Sequence, residues 1–117
     1  MTDYSNKAYW ENLVKMSLSR YFVMYALSLK PMHGYDISKW IGEATKGCCH
    51  PTEGSLYPML KEFESGGYVL SEAMTVSGRE RKVYTLTEKG IEALNTAKEV
   101  WGHAAKLIDD SILQSNN

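Results

Sequence analysis

The chain has 117 residues, 44% of them hydrophobic, which suits one domain near the small end of the range, where a second chain often supplies part of the buried surface. Thirteen Lys and Arg stand against fourteen Asp and Glu, a formal net charge of -1, so overall composition does not mark a nucleic-acid binder and any such case rests on local charge. The opening MTDYSNKAYWENLVK has neither the basic start nor the apolar run of a secretory signal, no stretch approaches about 18 apolar residues, and two adjacent cysteines make no disulfide framework. The expectation is a cytoplasmic protein without a membrane span.

From about Glu11 to Leu29, the apolar positions Leu18, Phe22, Tyr25, Ala26 and Leu29 keep helical spacing, and Pro31 stops the helix just beyond its end. After the turn KPMHG, the segment YDISKWIGEAT carries Ile37, Ile41 and Ala44 on one side and predicts a second, shorter helix, with Gly47 as a stop. A third helix falls within HPTEGSLYPMLKEFESGGYV, where Leu56, Leu60 and Phe63 sit at i, i+4 and i+7. Thr52 is placed to cap it, Glu53 favours the dipole in its first turn, and Gly66 and Gly67 end it. Pro58 interrupts that face, and a proline in a helix interior costs roughly 3 kcal/mol. Near a helix start little is lost beyond the bond to Gly54. Onset at Pro58 itself would leave Leu56 outside the apolar register, so the start capped by Thr52 is preferred.

The period then changes. YVLSEAMTV and RERKVYTLT are rich in Val, Tyr, Thr and Leu and flank Ser77 and Gly78, which suits a tight hairpin. Thr87 can cap a last helix in which Leu94, Ala97, Trp101, Ala104 and Ile108 recur at steps of three and four. That helix runs to roughly 30 residues, or about 43 Å, too long for so small a core to cover, which implies a protein partner, most simply a second copy. A short polar tail, Gln114 to Asn117, is expected to fray. Helix, helix, turn, helix and hairpin is the order of a winged helix-turn-helix. The predicted fold is therefore α+β and mainly helical. Residues 1–86 form the DNA-binding domain with an N-terminal helical extension, and 87–117 form a long C-terminal dimerisation helix.

PMHGYDISKWI, PTEGSLYPMLKEFESGGYV and SGRERKVYTLTEKGIEAL, in that order and spacing, resemble the PadR family of transcriptional regulators over about Leu18 to Leu94. The resemblance implies a winged-helix repressor, dimeric through its last helix, that binds a two-fold operator and releases it on meeting a small molecule or stress signal. The long N-terminal segment and single long C-terminal helix are similar to the short PadR subclass, in which both meet at the dimer interface. Two features depart from the family pattern: CCH before the third helix, and Gly102 inside the last one, which puts that helix's straightness in question.

Thr52, Glu53, Ser55 and Tyr57 lie on the first turns of the third helix, off its apolar face, and can point toward bases in a major groove. Capping and ordinary surface polarity are the plainer roles for them. Lys61 could reach a phosphate, although a lone exposed lysine is usually just solvated. Tyr35 resembles a family tyrosine that offers its hydroxyl to the DNA backbone, and could equally be half-buried packing. Arg79, Arg81 and Lys82 concentrate positive charge near the hairpin tip, suited to phosphate contact or, more plainly, to a charged edge strand. Tyr84 reads as packing within the wing.

Trp101 on a dimer-forming helix reads first as an interface anchor. Ala97, Ala104 and Ala105 beside it leave room for a flat ligand, and the resemblance extends to relatives that hold planar aromatic compounds there. Val14, Tyr21 and Tyr25 would be the opposite wall. Cys48, Cys49 and His50 are adjacent and diverge, so they make a poor metal set, and small buried residues are the plainer reading. Thiol or metal sensing stays open. No glycine-rich phosphate loop and no catalytic pairing is found, so neither an enzyme nor a cofactor is expected. The expected partners are a double-stranded DNA operator, a second copy and a planar aromatic effector. The rival reading is a winged-helix module that binds another protein instead of DNA.

Overall fold

The computed structural model describes residues 1–114. Asn6 opens the first helix, its side-chain carbonyl accepting the Ala8 N–H at 2.9 Å, and α1 runs Lys7–Leu29. This start is four residues ahead of the expected Glu11. The first turns bury nothing in the core, so the core-facing pattern does not extend to them; a cap and an aromatic cluster hold them instead. Tyr9 packs edge-on against both Tyr4 and Trp10, and the Trp10 indole N–H donates to the Tyr4 carbonyl at 2.7 Å.

The buried face of α1 also differs from expectation. It is Ser19, Val23, Ala26 and Leu27, whereas Leu18, Phe22 and Tyr25 are half-buried beside it and Leu29 is exposed. Both sets keep helical spacing, and only the second layer of packing decides between them. Ser19 is tolerated there because its hydroxyl donates to the Lys15 carbonyl at 2.5 Å.

The segment expected to be a plain turn contains a short strand, β1 (Met32–His33). His33 then caps α2 (Gly34–Ala44), its Nδ1 facing the Asp36 N–H at 3.5 Å and its Nε2 lying 3.2 Å from the Asp36 carboxylate. Ile37 and Ile41 are buried, while Ala44 is exposed. The next helix, α3 (Glu53–Ser65), is capped by Thr52 and keeps Pro58 inside it, on the exposed side. Leu56, Met59, Leu60 and Phe63 form its buried face.

Strands β2 (Val69–Val76) and β3 (Arg79–Leu86) form the hairpin, with Ser77 at φ 51 and Gly78 at φ 76 in the turn, the left-handed pair that a two-residue turn requires. The antiparallel sheet has the order β1-β3-β2. Its register pairs Val69 with Leu86, Ser71 with Tyr84, and Ala73 with Lys82. Pleating therefore sends Tyr84 and Leu86 into the core, where both are buried, and puts Arg79, Arg81 and Val83 on the opposite face.

The last helix, α4 (Glu88–Gln114), is continuous through Gly102. The tail beyond Gln114, expected to fray, lies outside the described residues. The core gathers Val23, Ile37, Ile41, Leu56, Leu60, Val69 and Leu94 from the four helices and β2, each burial contributing about 1.5 to 3 kcal/mol. The junction between α3 and α4 is tightly bonded. The Thr87 hydroxyl donates to the Gly67 carbonyl at 2.7 Å, the Thr87 N–H to the Tyr68 carbonyl at 3.0 Å, and the Lys89 ammonium to the Gly66 carbonyl at 2.6 Å. Helices α1 and α4 project beyond this body, and the radius of gyration is 16.4 Å against about 13 Å for a compact chain of this size.

Candidate nucleic-acid interface and apolar groove

The capped start of α3 forms one wall of a cleft of about 480 Å³ whose other wall is α2. Tyr35, Thr52, Glu53 and Tyr57 all line it, with His50 at one end. Tyr35 is 63% exposed, so its hydroxyl is free to meet a ligand, and Tyr57 is also exposed. Thr52 is committed locally: its hydroxyl accepts the Ser55 N–H at 3.3 Å. Ser55 answers by donating its own hydroxyl to the Thr52 carbonyl at 3.1 Å. Ser55 does not line the cleft; it borders a separate groove toward α1, beside Arg20 and Met16. Lys61 is exposed farther along α3, one residue before Glu62, which pairs with Arg20 at 3.6 Å.

The basic residues of the wing divide between the two faces of the sheet. Arg79 and Arg81 pair with Val76 and Met74 on the outer face. Lys82 lies on the inner one, with its ammonium 3.6 Å from the Glu64 carboxylate of α3 and 5.9 Å from the centre of the Tyr84 ring. Glu64 also accepts a short hydrogen bond from the Ser71 hydroxyl. That bond, more than the nearby Lys82, holds the Glu64 carboxyl below its ordinary pKa. Burial raises the pKa of the Tyr84 phenol, in keeping with a packing role. Sequence reasoning misses Glu64 in this region, because its place seven residues before Ser71 becomes meaningful only once β2 folds back.

A second site lies between the projecting helices. An apolar groove of about 380 Å³ is lined by Trp10, Leu13, Val14, Leu18, Trp101 and Ile108, with Ser17 and Ala105 completing it. Trp101, Ala105 and Val14 are residues expected at such a place. Tyr21, Tyr25 and Ala97, also expected there, do not line it. The reason is the antiparallel register of α1 on α4: the Lys98 ammonium sits 5.6 Å over the Tyr25 ring, a level nearer the core. There Tyr25 stacks on Tyr21 and tilts against Trp40, with ring centres 6.3 and 5.8 Å away. Trp10, Leu13 and Leu18 take the tyrosines' place. The i, i+3, i+4, i+8 spacing of Trp10, Leu13, Val14 and Leu18 is the signal that could have found them.

Of the stripe on α4, Leu94 is 2% exposed and belongs to its own chain's core, which corrects the expectation that it faces a partner. Ala97, Trp101 and Ala104 are half-buried, and Ile108 is 57% exposed. Cys49 is buried and Cys48 exposed. No group of three or more His, Cys, Asp or Glu suited to a metal ion occurs among the described residues, and no helix among them is long and apolar enough to cross a membrane.

Packing of α2 and α3 beside a β-wing, followed by a long helix, defines a winged helix-turn-helix. The pattern of the Transcriptional regulator PadR-like family matches residues 23–96, and the chain belongs to that family. Among solved structures, a PadR-like transcriptional regulator from Bacillus cereus superposes with a TM-score of 0.75 at 26% identity, over 86% of this chain and 96% of that one. A Streptococcus mutans protein gives 0.71 at 32% identity over 86% and 90%. A PadR family transcription regulator from Clostridium difficile gives 0.72 at 28% over 81% and 98%. A transcriptional regulator of Mycobacterium tuberculosis is 46% identical over 41 residues, which span 35% of this chain and 38% of that protein.

Proposed function

We propose that the protein is a homodimeric repressor that binds a two-fold DNA operator through α3 and the wing and releases it when a flat aromatic compound enters the apolar groove. The observation that carries the DNA reading is the cleft at the start of α3. The capped start of α3 presents Glu53 and Tyr57, and the facing start of α2 presents Tyr35 across the cleft, an arrangement able to contact base edges and phosphate at once. Arg79 and Arg81 on the outer face of the hairpin supply the phosphate contacts.

Dimerisation is assigned to α1 and α4. Trp10, Leu13, Val14, Leu107 and Ile108 are all exposed in the single chain, and a second copy packing these helices together would cover them. The groove beside Trp101 then lies at the two-fold axis, where an aromatic ligand can stack on the indole. A ligand that prefers one separation of the two α3 helices shifts operator affinity by its differential affinity for the two states.

The test is recovery of bound DNA from random fragments, followed by anisotropy titration of the recovered site at several salt concentrations. Affinity for that site should be about a thousandfold or more above random duplex and should fall steeply with salt. Equal, salt-insensitive binding to any duplex would favour the protein-interaction reading instead. Flat dyes should quench Trp101 fluorescence and weaken operator binding, and Trp101→Ala should remove both effects.

A further inference from the structure

The turn that leads into α3 carries two thiols in contact. Cys48 Sγ and Cys49 Sγ are 2.9 Å apart, one donating to the other. The two differ sharply in surroundings: Cys48 is exposed and opens onto a groove of about 500 Å³ between this turn and the first turns of α1, lined by Asn12, Lys15 and Lys46. Cys49 is 1% exposed and belongs to the core. The backbone around them is tightly turned, with Lys46 at φ 54 and Gly47 at φ 82. Beyond Cys49 come His50, bonded to the Ser38 hydroxyl at 2.7 Å, and the buried Pro51. Thr52, the cap of α3, follows directly. Only His50 and Pro51 separate the thiols from the cap.

We propose that Cys48 and Cys49 form a reversible dithiol/disulfide pair, oxidised by hydroperoxides, whose closure displaces the capped start of α3. Adjacent Cα atoms are held about 3.8 Å apart across a trans peptide, shorter than the roughly 4.4 Å at which disulfides ordinarily begin, and no rotation lengthens that separation. The bond therefore closes only as an eight-membered ring, in which the intervening peptide twists away from its orientation in the reduced turn. That twist breaks the hydrogen bond from the Cys49 N–H to the Thr45 hydroxyl, 3.2 Å in the reduced protein. It also draws the Cys49 sulfur out of the core and pulls on Pro51 and Thr52.

The chemistry has a fixed order. Burial pushes the Cys49 thiol up to about 12, so Cys49 does not meet the oxidant first. The Cys48 thiolate attacks a peroxide oxygen and the O–O bond breaks, leaving a sulfenic acid on Cys48 and a hydroxide or alkoxide, which takes up the proton released when the thiol ionised and leaves as water or an alcohol. The Cys49 sulfur then attacks the sulfenic sulfur, the S–O bond breaks, and the Cys49 proton leaves with the hydroxyl as water. Two electrons pass from the two thiols to the peroxide, and an external dithiol returns them.

The experiment treats the full chain with hydrogen peroxide and measures intact mass, free thiols and amide exchange, with no DNA present. The expected result is loss of both thiols with a mass decrease of two hydrogens. The Ser55 and Leu56 amides, now bonded to Thr52, should exchange about fivefold faster, the ratio implied by losing a helix cap. Dithiothreitol should reverse all three changes. Cys48→Ser, at an exposed position, should show no accelerated exchange after peroxide, and Cys49→Ala should retain oxygen on Cys48. Two free thiols after treatment, a disulfide between two chains, or pairing that leaves Ser55 and Leu56 unchanged would each overturn the proposal. Because no readout uses DNA, it stands or falls apart from the operator-binding reading.

Discussion

The ring of Tyr57 lies so close to Gly34 that a methyl group placed on Gly34 would meet the Tyr57 hydroxyl at 2.5 Å. The first residue of α2 thus sets where a side chain on the proposed base-reading turn of α3 comes to rest. Gly34→Ala must push that ring outward. Because the ring is the far end of a long side chain and Ala favours a helix, overall stability should change by less than about 1 kcal/mol. Operator preference should change instead, by about 1 to 3 kcal/mol if Tyr57 makes a direct base contact. Thermal unfolding and anisotropy on variant operators measure the two effects separately.

The division of the wing's charges predicts unequal roles. Removing Arg79 and Arg81 together should lower affinity about equally for all sequences, and should flatten the slope of log K against log salt by about 0.9 for each phosphate no longer neutralised, or about 2 in all. Lys82→Ala should change that slope less, because its ammonium is engaged with Glu64. Salt titrations of the three proteins on one duplex decide the matter, and an equal slope change for Lys82→Ala would count against the assignment.

Ile108→Asp should leave the single chain folded and prevent it from pairing. Ile108 is exposed within one chain, so the cost to monomer stability should stay within about 0.5 kcal/mol, while a charge buried in a seam between two chains costs several times that. Sedimentation at micromolar concentration should show dimer for the wild type and monomer for the variant. Leu94→Ala provides the contrast: it should cost about 2 to 5 kcal/mol of folding stability, read from urea unfolding.

Glu64 gives a pH signature. Its pKa is held below the ordinary value chiefly by the Ser71 hydroxyl, with Lys82 assisting. A carboxyl with a depressed folded pKa contributes stability that is complete above its unfolded value of about 4.3 and disappears as pH falls through the folded value. Glu64→Gln should therefore lose less stability than the wild type on acidification below about pH 4.3. Urea midpoints collected across that window check it, and parallel curves would show that Glu64 carries no such linkage.

Local spacing is enough for much of the fold. Thr52 as cap, Pro58 kept inside α3, the Ser77–Gly78 turn and the long last helix are all readable because each depends on neighbours within a turn or two. What cannot be read depends on distant partners. Val23 and Leu27 displace Leu18 and Leu29 as the core face of α1 through the packing of other elements, and β1 exists only because Met32 and His33 meet Tyr84 and Val83. The level at which the apolar groove forms is fixed in the same way: nothing near Tyr21 or Tyr25 specifies how far α1 slides along α4. The early start of α1 lies off the core pattern, because Trp10 and Leu13 look outward and keep helical spacing only with Val14 and Leu18 on a separate face.

The hydrogen bonds at Thr87 and Lys89 tie the loop after the proposed reading helix α3 to the start of the long helix. Lys89 reaches the Gly66 carbonyl and lies 4.6 Å over the Tyr68 ring, bracing the first turn of α4 against the end of α3. A lever braced in this way carries rotation from end to end. With an arm of about 40 Å, pivoting by some five degrees moves the far end by about 3.5 Å, comparable with the roughly 3.4 Å rise of one base pair. A small wedge driven between the outer ends of two such levers would therefore put their reading helices out of step with the duplex by a whole rung.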